Sequence, residues 1–292
     1  MVGVMRAIIM TLIGVASFSA IVGAVIGCRL MLCLGDGGAV EDLTFKTAAP
    51  AGYDIAALGN RGQGRWRVVV VLGAPSRHAT WRRFARDADA DIDYVIVNRP
   101  GYGPSGPREP VQDFDEQVQA FLPQISDPER PCVALMGVSY AAELALKAAI
   151  DHPEHVDALV IVSGLMSEPY GFQTALASIA AVPGLGRALP RWWRNAHAEV
   201  NGRRGLIGPV LARAGEISVP VEIIHGTWDM IVPVGDAALL ASHLADGIAN
   251  VTYLPRRNHY LFAEDPGAMR AAARRAIARA EAAGACPAAV DE

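Results

Sequence analysis

The chain has 292 residues, 52% of them hydrophobic and only 19% charged, with a formal net charge of −4. That balance excludes a disordered or fibrous chain, and the lack of a basic surplus argues against nucleic acid as a partner. Four cysteines, Cys28, Cys33, Cys132 and Cys286, are too few and too scattered for a disulfide scaffold or a zinc site.

The mean hydropathy, +0.24, is high for a purely soluble chain, and much of the excess sits at the start. Ala7 to Cys28 is a run of 22 residues without a charge, bracketed by Arg6 and Arg29. A helix of that length reaches about 33 Å, enough to cross the hydrocarbon core. Three readings stand: an uncleaved membrane anchor, a lipoprotein acylated at Cys28 within Val25-Ile26-Gly27-Cys28, and a cleaved signal peptide. Length and flanks favour the anchor, and apolar residues after Cys28 speak against a lipoprotein tether. One arginine on each flank orients it weakly, with the N-terminus inside and the globular part on the extracytoplasmic, periplasmic side.

Beyond a Gly-rich joint at Gly35–Gly38, strand-like and helix-like segments alternate. Edge strands are expected near Asp42–Thr47 and Tyr53–Leu58. Short apolar runs at Arg67–Leu72, Tyr94–Val97, Cys132–Met136, Ala158–Val162, Val221–Ile224 and Val251–Leu254 suit strands buried on both faces. Helices are expected over Ala79–Ala88, Asp113–Leu122, Ala141–Ile150, Asp236–Leu244 and Pro266–Ala283. The alternation implies a doubly wound, mostly parallel sheet. Residues 165–218 separate two strands by more than a crossover needs and read as a helical cap insertion. The expected organisation is an anchor or signal segment over 1–34, a core in two parts over 35–164 and 219–292, and the cap between them.

The sharpest chemical signal is Gly137-Val138-Ser139-Tyr140-Ala141, between an apolar strand and a helical run. A serine on such a turn has its hydroxyl exposed above the sheet. Taken alone, the string equally describes a βα turn whose serine caps a helix. Context separates the two. Asp229 follows the strand-like run Val221–Ile224, and His259 follows Val251–Leu254. Ser139, Asp229 and His259 therefore stand in the order, and at the strand ends, that an α/β-hydrolase triad requires. A serine hydroxyl needs an imidazole base, and the imidazole needs a carboxylate to fix its tautomer.

Residues 67–266 resemble the α/β-hydrolase superfamily, specifically its capped, cofactor-free serine hydrolases of the esterase and lipase kind. The resemblance rests on Leu72-Gly73-Ala74-Pro75, Arg99-Pro100-Gly101-Tyr102-Gly103-Pro104-Ser105, the serine turn, His225–Pro233, and His259 followed by Glu264 and Pro266. It implies an α/β-hydrolase fold with a mostly parallel sheet flanked by helices, no cofactor and no metal, and an oxyanion hole from the N–H groups of Ala74 and Tyr140. Leu72 stands where most relatives have a histidine, and Asn98, Ala141 and Asn258 are milder departures.

Serine at position 139 implies acyl transfer, where an aspartate would have suggested epoxide or haloalkane chemistry. The expected activity is hydrolysis of a small-molecule carboxylic ester with a hydrophobic or medium-chain acyl group, at a membrane. Carbon–carbon hydrolysis, peroxidation or peptidase action on the same triad remain open, as does a non-catalytic binding protein on this scaffold. His225 is read as structural, and His78, His152, His155, His197 and His243 show no metal-ligand spacing. Trp192-Trp193 are expected to pack the cap onto its body, and Arg191, Arg194, Arg203 and Arg204 to form a solvated basic face.

Overall fold

Apolar, β-branched runs become the strands of a single eight-stranded sheet. The computed structural model describes residues 40–47, 52–60, 62–168 and 189–286. Its strands are β1 (Glu41–Lys46), β2 (Asp54–Gly59), β3 (Trp66–Val71), β4 (Asp93–Val97), β5 (Cys132–Val138), β6 (Ala158–Val162), β7 (Val221–Gly226) and β8 (Ala249–Leu254). The order across the sheet is β1-β2-β4-β3-β5-β6-β7-β8. β2 pairs antiparallel with β1 and with β4, and every other pairing is parallel. Of the two expected edge strands, only β1 is at the edge; β2 lies inside it, and β8 forms the far edge.

Alternate residues of each inner strand serve opposite faces. Val69 and Val71 enter one apolar cluster, while Trp66, Val68 and Val70 enter the other. This two-sided burial is why these strands read as continuous apolar runs.

The helices are α1 (Arg82–Arg86), α2 (Phe114–Gln119), α3 (Leu122–Ile125), α4 (Ala141–Asp151), α5 (Arg191–Gly202), α6 (Ile207–Arg213), α7 (Gly235–Ala241), α8 (Leu261–Glu264) and α9 (Pro266–Ala282). Side chains of α2, α4, α6 and α7 pack into the cluster on one face of the sheet, and those of α1 and α9 into the cluster on the other. α9 turns Met269, Ala272, Ala273, Ala276 and Ala280 inward, the spacing of one helical face. The single helix expected over Asp113–Leu122 is instead α2 and α3, because Pro123 has no N–H to continue the first ladder.

Cys132, at the start of β5, is bonded to Cys286 beyond α9, with Cα atoms 5.5 Å apart. A separation of 154 residues hid this pair from a reading of spacings. The basic cluster is also revised. Arg203 is fully buried against Glu143, Nε to Oε1 at 2.6 Å, so it belongs to no solvated face, whereas Arg204 is exposed. Trp192 is 43% exposed, and Trp193 stacks on His197.

The apolar segment Ala7–Cys28 and the helix-like stretch Phe172–Ala181 lie outside the described residues. Among the described residues, no helix is long and apolar enough to cross a membrane.

Candidate active site

Ser139 sits at the junction of β5 and α4 with φ of 55°, a left-handed conformation that costs a non-glycine residue on the order of 1–3 kcal/mol. Surrounding hydrogen bonds hold it there. Ser139 N–H donates to the Val162 carbonyl at 2.9 Å, and the Ser139 carbonyl accepts from Ala142 and Leu165 at 3.0 and 3.2 Å. Gly137 permits the bend: a Cβ there would lie 2.7 Å from the Ala141 carbonyl oxygen, the Ala142 Cα and the Ala145 Cβ.

The loop after β7 carries Asp229, and the loop after β8 carries His259. The two loops are laced together, with the Trp228 N–H donating to the Arg257 carbonyl at 2.9 Å. Gly226 keeps β7 close, since a Cβ there would run into that same carbonyl. Asn258 fixes the turn leading into His259. Its backbone and side-chain N–H groups donate to the Glu264 carboxylate at 2.8 and 2.5 Å, and its Oδ1 accepts from Tyr260 N–H at 2.8 Å.

The three side chains meet. His259 Nε2 is 3.0 Å from Ser139 Oγ, and His259 Nδ1 is 2.7 Å from Asp229 Oδ2. The Asp229 side chain is fully buried, and its Oδ1 accepts from the N–H groups of Ile231 and Val232, both at 2.9 Å. Burial alone would raise the Asp229 carboxyl. The adjacent imidazoles of His225 and His259 outweigh it and hold the group well below the usual carboxylate range. Asp229 is therefore an anion at neutral pH, suited to hold the proton on His259 Nδ1 and leave Nε2 free to accept one.

His225, read from the sequence as structural, is fully buried on β7 with Nε2 3.2 Å from Asp229 Oδ2. The sequence signal for this contact was the spacing of four residues between them at a strand end.

The segment Leu72-Gly73-Ala74 passes directly over the serine. A Cβ on Gly73 would lie 2.8 Å from Ser139 Cβ and 3.4 Å from Ser139 Oγ. Neither the Ala74 N–H nor the Tyr140 N–H is paired with a backbone acceptor among the described residues.

The loop after β3 is braced from below. Asn98 Oδ1 accepts from His78 N–H at 2.7 Å, and Asn98 Nδ2 lies 2.6 Å from His78 Nδ1. Among the described residues, no group of three or more His, Cys, Asp or Glu side chains is arranged to hold a metal ion. Arg99, part of the Arg99–Ser105 motif, is buried, and so are Gln117, Glu199 and Glu143, which a motif reading missed; each comes from a different segment of chain.

The family model described as alpha/beta hydrolase fold matches residues 67–207. Among solved structures, an esterase from Thermogutta terrifontis is similar with a TM-score of 0.66 at 14% identity, over 82% of this chain and 99% of that one. A membrane phospholipase A, described as a bacterial virulence factor, is similar with a TM-score of 0.62 at 16% identity, over 96% of this chain and 99% of that one. A 2-hydroxy-6-oxo-6-phenylhexa-2,4-dienoate hydrolase from Rhodococcus sp. strain RHA1 is similar with a TM-score of 0.63 at 18% identity, over 82% and 99%. No curated protein matches the sequence. Strand order, helix placement and these likenesses agree: the chain has the α/β-hydrolase fold.

Proposed function

We propose that the chain is a serine hydrolase that cleaves a carboxylic ester through an acyl-enzyme. The observation that carries this reading is the continuous relay from Ser139 Oγ to His259 Nε2 at 3.0 Å and from His259 Nδ1 to Asp229 Oδ2 at 2.7 Å. Ser139 Oγ attacks the acyl carbon while its proton passes to His259 Nε2. The carbonyl electron pair moves to oxygen, and the N–H groups of Ala74 and Tyr140 stabilise the oxyanion. Collapse expels the alcohol, which takes the proton from His259. A water molecule then attacks the acyl-enzyme, gives its proton to His259, and collapse returns that proton to Ser139 with release of the acid. No step calls for a cofactor.

A hydrophobic acyl group is favoured by the apolar surface around the site. Trp228 and Met230, the two neighbours of Asp229, are 61% and 88% exposed. The described helices α5 and α6 would belong to the cap expected from the sequence. The uncharged run Ala7–Cys28 supports a membrane-anchored enzyme. The Cys132–Cys286 disulfide supports an oxidising, extracytoplasmic location for the globular part. The esterase and the phospholipase among the similar structures point to ester chemistry, and the Rhodococcus enzyme marks the carbon–carbon hydrolase alternative.

The test is a chain-length series of p-nitrophenyl esters with Ser139→Ala as control. Turnover that peaks at medium chains and is lost in the variant is expected. Turnover of a carbon–carbon substrate alone would replace ester hydrolysis with that alternative.

A further inference from the structure

The Arg99 guanidinium is fully buried, and it touches both segments that carry the proposed oxyanion donors. Its Nε donates to the Leu72 carbonyl at 2.7 Å. That bond pins the peptide plane entering Gly73 and Ala74. Leu72 itself sends an aliphatic side chain into the apolar core, so its side chain supplies no donor to brace the loop. On the other side, Arg99 Nη1 donates to Gln117 Oε1 at 2.5 Å, and Gln117 Nε2 donates to the Tyr140 hydroxyl at 2.9 Å. The guanidinium also lies over the Tyr140 ring, 4.6 Å from its centroid.

A buried cation needs a counter-charge, and it comes from α5. Glu199 receives both Arg99 Nη1 and Nη2, at 2.9 and 3.0 Å, and accepts a third hydrogen bond from the Tyr102 hydroxyl at 2.5 Å. A planar fork can satisfy a carboxylate, an amide and a carbonyl together in fixed directions, and an ammonium cannot.

We infer that Arg99 is a positioning residue that holds the Ala74 and Tyr140 N–H groups in register, with Glu199 of α5 fixing it from outside the core sheet. The role rests on the proposed esterase reading, and the experiment separates the two. Wild-type protein, Arg99→Lys and Gln117→Met are compared in kcat and KM on p-nitrophenyl butyrate and in inhibition by an aryl trifluoromethyl ketone. Ser139 Oγ adds to that ketone's carbonyl carbon, passes its proton to His259, and leaves a stable oxyanion in the hole. Melting temperature is recorded for each protein.

Arg99→Lys keeps a cation opposite Glu199 but loses the fixed fork. Its kcat is expected to fall about 100-fold with KM within about threefold, and its ketone affinity to fall by a similar factor. Gln117→Met leaves the Arg99–Glu199 pair intact and is expected to show the same pattern at about tenfold, which keeps the test decisive if Arg99→Lys does not fold. Equal ketone affinity in the folded variants, or activity that merely tracks melting temperature, would overturn the positioning role while leaving the esterase reading intact. A wild type without Ser139-dependent turnover would overturn both.

Discussion

Gly137 stands so close to Ala145, one turn into α4, that a methyl group on the glycine would lie 2.7 Å from the alanine Cβ. Two backbone atoms are equally near, so no side-chain rotation can relieve the contact. Gly137→Ala is therefore expected to destabilise the fold by about 1–3 kcal/mol, as overpacking does. It should also shift Ser139 away from His259 and lower kcat by more than the lost stability explains. Urea unfolding together with ester turnover checks both.

Asp229→Asn keeps the shape of the site but cannot hold an imidazolium. Turnover is expected to fall by about 10⁴-fold at neutral pH, the size of effect seen when a triad carboxylate becomes an amide. The carboxyl is depressed in the folded chain, so its contribution to stability is complete above about pH 4. That contribution is lost as pH falls through the depressed folded value. Thermal melts across the acid range should show a shallower decline for the Asn variant than for wild type.

The Arg203–Glu143 pair joins the segment after α5 to α4, with both side chains fully buried. Burial pushes the Glu143 carboxyl up to about 8 against the pull of Arg203. Glu143 Oε2 and Arg203 Nη2 have no hydrogen-bond partner among the described residues. Removing Arg203 leaves the buried Glu143 carboxyl without its hydrogen-bond partner. Arg203→Met alone is expected to cost about 1–3 kcal/mol, and Arg203→Met with Glu143→Leu to recover most of it. A double-mutant cycle by chemical denaturation reads the difference.

The Cys132–Cys286 bond joins residues 154 apart in sequence and ties the end of α9 to β5, the strand that leads into Ser139. Cys286→Ser is expected to lower stability by about 2–4 kcal/mol under oxidising conditions and to leave reduced protein unaffected. Non-reducing peptide mapping should recover the two cysteines in one linked peptide.

Much of this architecture was readable from local signals. Both-face burial turns a strand into an apolar run, which is why Trp66–Val71 and Ala158–Val162 stand out within about a residue of their ends. Ser139, Asp229 and His259 were legible because each follows such a run, and chain order supplied the rest. What escaped is long-range and electrostatic. Glu199 looks like any helix glutamate until Arg99, a hundred positions earlier, is seen against it. Arg203 beside Arg204 looks like a solvated pair, yet burial separates the two neighbours completely. Cys132 and Cys286 share no motif, and only the closing of the sheet and α9 brings them together.

The central claim is that Ser139 is a nucleophile activated by His259. Labelling with a fluorophosphonate, followed by peptide mapping, tests it most directly. The account predicts one adduct, on Ser139, abolished in Ser139→Ala and formed orders of magnitude more slowly in His259→Ala. A well-folded wild-type protein that takes no label, or that takes it on another residue, would contradict the account.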